Sequence, residues 1–135
     1  MRLLHPKDWA PTKGFSNGVD AEGRQVFVAG QIGWNAQQEI VSDDFVAQVD
    51  QALRNIVDIL AEAGARPEHL VRLTWYVTDK HEYVSRLNDV GQAYRRVIGR
   101  HFPTMTLVQV VALVEDRAKV EIEATAVIPA TASNA

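Results

Sequence analysis

An α+β domain of two layers, one mixed sheet with two helices packed on one face, is the fold this sequence predicts. Three observations carry that reading. Two stretches repeat apolar residues at helical spacing, and several others alternate at the period of a strand. Their order along the chain is strand, strand, helix, strand, helix, strand, strand, an order in which two amphipathic helices can cover one sheet. The 135 residues hold no internal repeat, which suits a single domain over 1–135 with one core.

Residues 1–13 carry Pro6 and Pro11 without a clear period, so an irregular arm is expected there. Gly14 to Val19 reads as a short strand and Asp20 to Gly23 as a turn. Arg24 to Ile32 follows as a strand in which Val26, Val28 and Gly30 alternate against Phe27, Ala29 and Gln31. Gly33 to Gln38 is a loop, and Glu39 to Val41 a brief pairing segment. Ser42, with Asp43 and Asp44 behind it, is the expected helix cap. Phe45, Val46, Val49, Leu53, Ile56, Val57 and Leu60 then form one apolar stripe, stopped by Gly64 with Pro67 three residues on.

Val71 to Thr78 is predicted as a strand with Val71, Leu73, Trp75 and Val77 on one face. A second helix is expected over His81 to Ile98, with Tyr83, Leu87, Val90, Gly91 and Tyr94 on one side and Gly99 at its end. Met105 to Leu113 and Lys119 to Val127 read as two strands joined by a turn. In the second, Val120, Ile122, Ala124 and Ala126 fall on one face and Glu121, Glu123 and Thr125 on the other. The face away from the helices is expected to carry Thr74, Tyr76, Leu107, Gln109, Val111, Glu121 and Glu123. A face of that composition is too apolar to stay wet, so self-association is expected. Residues 129–135 read as a polar tail.

Composition excludes several classes of function. Without cysteine there is no disulfide, thiolate nucleophile or sulfur-based zinc site. Fourteen Lys and Arg against 17 Asp and Glu leave a net charge of −3 and no basic cluster, a poor footprint for nucleic acid. No run approaches a membrane span, and the N-terminus lacks the pattern of a secretory signal, so a cytoplasmic protein is expected. His5, His69, His81 and His101 show no ligand spacing; neither a metal nor a cofactor is expected.

The segment FPTMTLVQVVAL followed by KVEIEATAV is similar to the C-terminal signature of the RidA/YjgF family of reactive-intermediate (enamine and imine) deaminases. AGQI at 29–32, QALRNIVDILAEAGA at 51–65 and VRLTWYVTD at 71–79 extend the resemblance over most of the chain. It implies a chorismate-mutase-like fold, a homotrimer whose sheets form a central barrel, and small-metabolite pockets between subunits. It also implies hydrolysis of an enamine or imine to a keto acid and ammonia, with an arginine gripping the substrate carboxylate and a glutamate serving the attacking water.

Carried over residue by residue, the family's glutamate falls on Glu121 and the ligand-holding Gly-Gln pair on Gly30 and Gln31. Its arginine falls on Met105, its tyrosine near the first strand on Phe15, its serine on Ala29, and a small polar residue on Leu107. These four exchanges all replace a polar group by an apolar one. Losing two charge-assisted hydrogen bonds of roughly 1.5–3 kcal/mol each argues against the family's own imino-acid deamination. Arg100 precedes Met105 by up to roughly 17 Å of extended chain, hard to bridge within one subunit, which leaves Arg24, Arg72 and Arg117 from a neighbouring subunit as candidates. An apolar pocket without a cation favours a protonated carboxylic acid, which makes Glu121 the expected acid/base and Glu123 a structural group.

The sequence thus supports a pocket for a small, uncharged or weakly anionic metabolite. As an enzyme the protein would hydrolyse or tautomerise an imine, enamine or carbonyl compound through Glu121. The alternative is a non-catalytic metabolite-binding or regulatory protein. Ribonuclease activity, which attaches to some family names, is opposed by the acidic charge balance.

Overall fold

The computed structural model describes residues 1–130, so most of the expected tail over 129–135, from residue 131 on, lies outside the described residues. The elements in order are β1 (Arg2–Leu4), β2 (Gly18–Asp20), β3 (Arg24–Gln31), α1 (Phe45–Glu62), β4 (Leu70–Val77), α2 (Lys80–Ser85), α3 (Leu87–Val97), β5 (Thr104–Gln109) and β6 (Val120–Ile128). A 3-10 turn over Pro67–His69 leads into β4. The main sheet is mixed and four-stranded in the order β3-β6-β4-β5, while β1 and β2 form a separate two-stranded ribbon. The arm read as irregular over 1–13 therefore contains a strand, and Gly18–Asp20 is its partner.

The helices cover one sheet face, as the two-layer reading requires. Val120, Ile122 and Ala126 of β6 are wholly buried beneath them, and Leu73, Trp75 and Val77 of β4 share that face. From α1, Phe45, Val49, Leu53, Ile56 and Leu60 complete the core. Gln48, also fully buried, donates to the Ser42 and Arg117 carbonyls and accepts from the Lys119 amide, which straps the loop before β6 to α1. Asp50 accepts from Arg54 at 2.6 Å and from Arg96 at 2.7 Å, tying α1 to α3. Among the described residues no helix is long and apolar enough to cross a membrane.

Several expectations need correction. The last two strands are no hairpin: β4 lies between them, pairing parallel with β5 and antiparallel with β6. Alternation shows which way residues face but not which strand is the neighbour, and the α2–α3 crossover is what returns the chain parallel to β4. β5 stops at Gln109, four residues short of the expected Leu113, because β4 ends at Val77 and offers no ladder beyond it. Val111 accordingly lies fully exposed in the following loop.

Leu107 and Gln109 pair with Trp75 and Val77, so they take the helix-side orientation and not the open face. The open face carries Thr74, Tyr76, Thr106, Val108, Glu121, Glu123 and Thr125, a more polar set than expected. The large apolar groups this face does expose are Val108 and, beside Thr125 on β3, Phe27. In β4 an irregularity between Leu70 and Arg72 buries Leu70 in place of Val71. The cap of α1 is Asp44, which accepts from the Ala47 amide at 3.0 Å, whereas Ser42 braces Asp44 itself. The expected helix over His81 to Ile98 is broken at Arg86, which pairs with Asp44 at 2.7 Å and with Asp89 at 3.3 Å.

Candidate functional site

The sequence-selected residues fall into two groups. The first surrounds a cavity of about 250 Å³ on the helix side of β5. Phe15, Met105 and Leu107 line it together with Trp75, Tyr83, Leu87, Val90, Gly91, Tyr94 and Phe102, and Lys13 and Gly14 of the arm complete the rim. Phe15 reaches this place because the arm is fastened to the start of β5. The Ser16 amide donates to the Pro103 carbonyl at 3.0 Å and the Ser16 hydroxyl to the Phe102 carbonyl at 2.6 Å. Gly14, at φ +79°, supplies the left-handed turn that brings the arm over the cavity.

The wall is aromatic and short of hydrogen-bonding groups. Tyr94 stacks on Phe102 with centroids 5.5 Å apart and donates its hydroxyl to the His101 carbonyl. Trp75 meets Tyr83 edge to face at 6.2 Å. Burial pushes the phenols of Tyr83 and Tyr94 above their ordinary range, so both remain protonated at neutral pH.

The second group sits where β3 meets β6. The pairing shifts between Val28 and Gln31, and this irregularity holds Ala29 and Gly30. The Glu121 carboxylate lies directly over Gly30, where a Cβ would collide with it. Gly30 thus owes its identity to close approach and not to backbone conformation. Gln31 folds back to donate to the Ala29 carbonyl at 3.1 Å. Among the described residues Glu121 has no ion-pair partner, while Glu123, two residues on, accepts from the Tyr76 hydroxyl at 2.7 Å. That hydrogen bond raises the Tyr76 phenol above its usual range. Glu123 is thus tied to β4 through Tyr76.

One chain does not bring the two groups together. Met105 shares the helix-covered face with Leu73, whereas Glu121 pairs with Tyr76 on the open face. They also stand two strands apart, a lateral separation of roughly 10 Å, with the sheet between them. Of the arginines considered as substitutes, Arg24 donates to the Ala63 carbonyl and Arg117 pairs with Asp43, while Arg72 lines a groove on the open face. The cation on the cavity's rim is Lys13, which sequence reading missed because it lay in an arm without periodicity. Tyr83 and Tyr94 were visible only as members of an apolar helical stripe.

The chain is thus a two-layer α+β domain with an aromatic cavity at one edge and, near the other, a carboxylate packed on a glycine. The endoribonuclease L-PSP family model matches residues 6–128. A 2-iminobutanoate/2-iminopropanoate deaminase of Salmonella typhimurium is 33% identical over 113 residues, covering 84% of this chain and 86% of its own. Protein DfrA of Myxococcus xanthus is 39% identical over 114 residues, covering 81% and 79%. Among solved structures, the conserved Rid protein YyfB of Yersinia pestis superposes with a TM-score of 0.84 at 34% identity, over 94% of this chain and 98% of that one. The YjgF gene product of E. coli gives 0.68 at 32% identity, over 84% and 87%. The chain belongs to the Rid/YjgF family.

Proposed function

We propose that this protein works as a homotrimer in which the aromatic cavity of one chain faces the Gly30–Glu121 ledge of the next. The reaction is hydrolysis of a carbon–nitrogen double bond in a small metabolite, with an enamine entering as its imine tautomer. Water adds to the imine carbon and forms a C–O bond while Glu121 takes a proton from it. The substrate reacts as its protonated imine, so addition gives a neutral carbinolamine. Glu121 returns the proton to its amine, the C–N bond breaks to release ammonia, and the hydroxyl proton passes to that ammonia as the carbonyl forms. Phe15, Met105 and Leu107 seat the apolar part of the substrate; the backbone at Ala29, Gly30 and Gln31 lies beside the reacting carbon.

The observation that carries this reading is the contrast between two neighbouring carboxylates. Glu123 accepts from Tyr76, whereas Glu121 is packed against a glycine and has no ion-pair partner among the described residues. The separation of cavity and carboxylate within one chain supports assembly, since only a second copy can complete the pair. A related deaminase of Salmonella typhimurium supports the reaction class.

The test is ammonia release from freshly generated imines by wild type and Glu121→Gln, alongside sedimentation to determine the number of subunits. Turnover lost in Glu121→Gln, from a trimer of unchanged size, is the expected result. A monomer, or release unaffected by Glu121→Gln, overturns the proposal. Specific ligand binding by an inert wild type supports the non-catalytic alternative.

A further inference from the structure

The cavity beside β5 has an aromatic body and a cationic mouth. Lys13 lies on its rim. On the helix opposite, Gly91 lines the cavity, and the Arg95 guanidinium reaches over it, with Nη1 3.2 Å from where a Gly91 Cβ would stand. Both cations are exposed, and neither is engaged in an ion pair among the described residues. Six other arginines, Arg2, Arg54, Arg66, Arg86, Arg96 and Arg117, and Lys119 do hold carboxylates. Of the seven lysines and arginines without an ion pair among the described residues, Lys13 and Arg95 flank the same opening.

We infer that the cavity takes a carboxylate with a bulky apolar body, an aryl-substituted 2-oxo or 2-imino acid, whose body lies among the aromatic side chains and whose carboxylate sits between Lys13 and Arg95. This rests on the reading of the cavity as the substrate half of the site, and it names the substrate class. It also alters the expectation of an uncharged ligand: anion recognition moves from the floor, where Met105 stands, to the rim. The geometry favours a long ligand over a short one. A two-carbon side chain cannot fill the aromatic wall and reach the rim, whereas an aryl group spans both. The small residue at Gly91 matters here, because a Cβ there would crowd the Arg95 guanidinium.

Exposed cations hold a carboxylate weakly, so each contributes roughly two- to fivefold in affinity and the pair on the order of tenfold. Burial of the aryl group contributes more, on the order of tenfold to a hundredfold over a methyl group. The inference is tested by calorimetric titration of the whole protein with stable ketones: phenylpyruvate, pyruvate, and phenylacetone, which keeps the aryl group and lacks the carboxylate. Wild type, Lys13→Ala, Arg95→Ala and the double variant are compared, with Arg66→Ala as a control for loss of a remote cation.

Expected are phenylpyruvate binding well above pyruvate, a roughly tenfold loss in the double variant, and phenylacetone binding unchanged by it. The phenylpyruvate affinity should also fall as salt rises from about 20 to about 200 mM. Three results overturn the inference: pyruvate bound as tightly as phenylpyruvate, a double variant no weaker than Arg66→Ala, or no phenylpyruvate binding. The outcome is separable from that of the proposed reaction. Binding in the expected order without ammonia release leaves this inference standing and removes the hydrolysis. Ammonia release without preference for aryl-bearing imines does the reverse.

Discussion

Met105 and Glu121 belong to one four-stranded sheet, yet Met105 faces the helix layer and Glu121 the open side. The surroundings differ in kind. Around Met105 the chain has assembled rings from α2, α3, β4, the arm and the approach to β5, and left a void of about 250 Å³ among them. Glu121 is instead packed on backbone, its carboxylate resting where a Gly30 Cβ would be. A cavity tolerates exchange of its lining, provided the volume stays apolar and roughly matched. A carboxylate packed on backbone tolerates very little. The comparison explains why the four polar-to-apolar exchanges implied by the family resemblance include Phe15, Met105 and Leu107 of the cavity, while Glu121 and Gly30 keep the family's residues.

The largest expected effect comes from removing Glu121, the acid/base of the proposed reaction. Glu121→Gln should lower ammonia release by roughly 10²–10⁴-fold, the usual worth of a positioned general acid–base, while the melting temperature stays near wild type. A variant that retains turnover would place the chemistry in the cavity and break the comparison. Next in size is Met105→Arg, which adds a guanidinium to the apolar side. It should improve kcat/KM for a small anionic imine by about tenfold or more, read from initial rates, and should weaken phenylacetone binding. No gain would mean that the floor of the cavity is out of reach of the carboxylate.

A smaller effect, confined to the cavity side, is expected from Asp44. It caps α1 and holds Arg86 at the break between α2 and α3, two helices that line the cavity. Asp44→Ala should cost about 1 kcal/mol in denaturant titration. The pH dependence follows from the same contacts. The Arg86 hydrogen bond, then that of the Ala47 amide, holds the Asp44 carboxyl below its ordinary range. At Asp50 burial pushes upward, and the hydrogen bonds from Arg54 and Arg96 outweigh it. Groups lowered in the folded state contribute fully above the ordinary carboxylate range and lose that contribution as the pH falls through their folded values. Thermal melts should therefore show stability declining on acidification from about pH 5 towards pH 2, and less steeply in Asp44→Ala. The smallest effect is that of Glu123→Gln, which keeps an acceptor for Tyr76. It should leave turnover within about twofold and cost under about 1 kcal/mol, sharpening the contrast with Glu121.

Much of this was legible in the residues because it depends on local period. The stripe from Phe45 to Leu60, the alternation from Val120 to Ala126 and the division of Glu121 from Ile122 need only the geometry of a helix and a strand. Gly64, at φ +76°, ends α1 where a left-handed residue was expected, with the Ala65 amide closing on the Leu60 carbonyl. Local period does not say which strand is the neighbour, and so the placement of β4 between β5 and β6, and with it the true face of Leu107, was decided by tertiary packing. The irregularity between Leu70 and Arg72, which exchanges Leu70 for Val71 in the core, has the same origin. So do the cations at the cavity. Lys13 and Arg95 are far apart in the chain and lie in no shared pattern, and only the fastening of the arm to β5 sets them at one opening. Short-range sterics and hydrophobic period act within a few residues and are written in the sequence. Strand neighbours and site assembly depend on which distant surfaces fit, and that is decided only when the chain closes on itself.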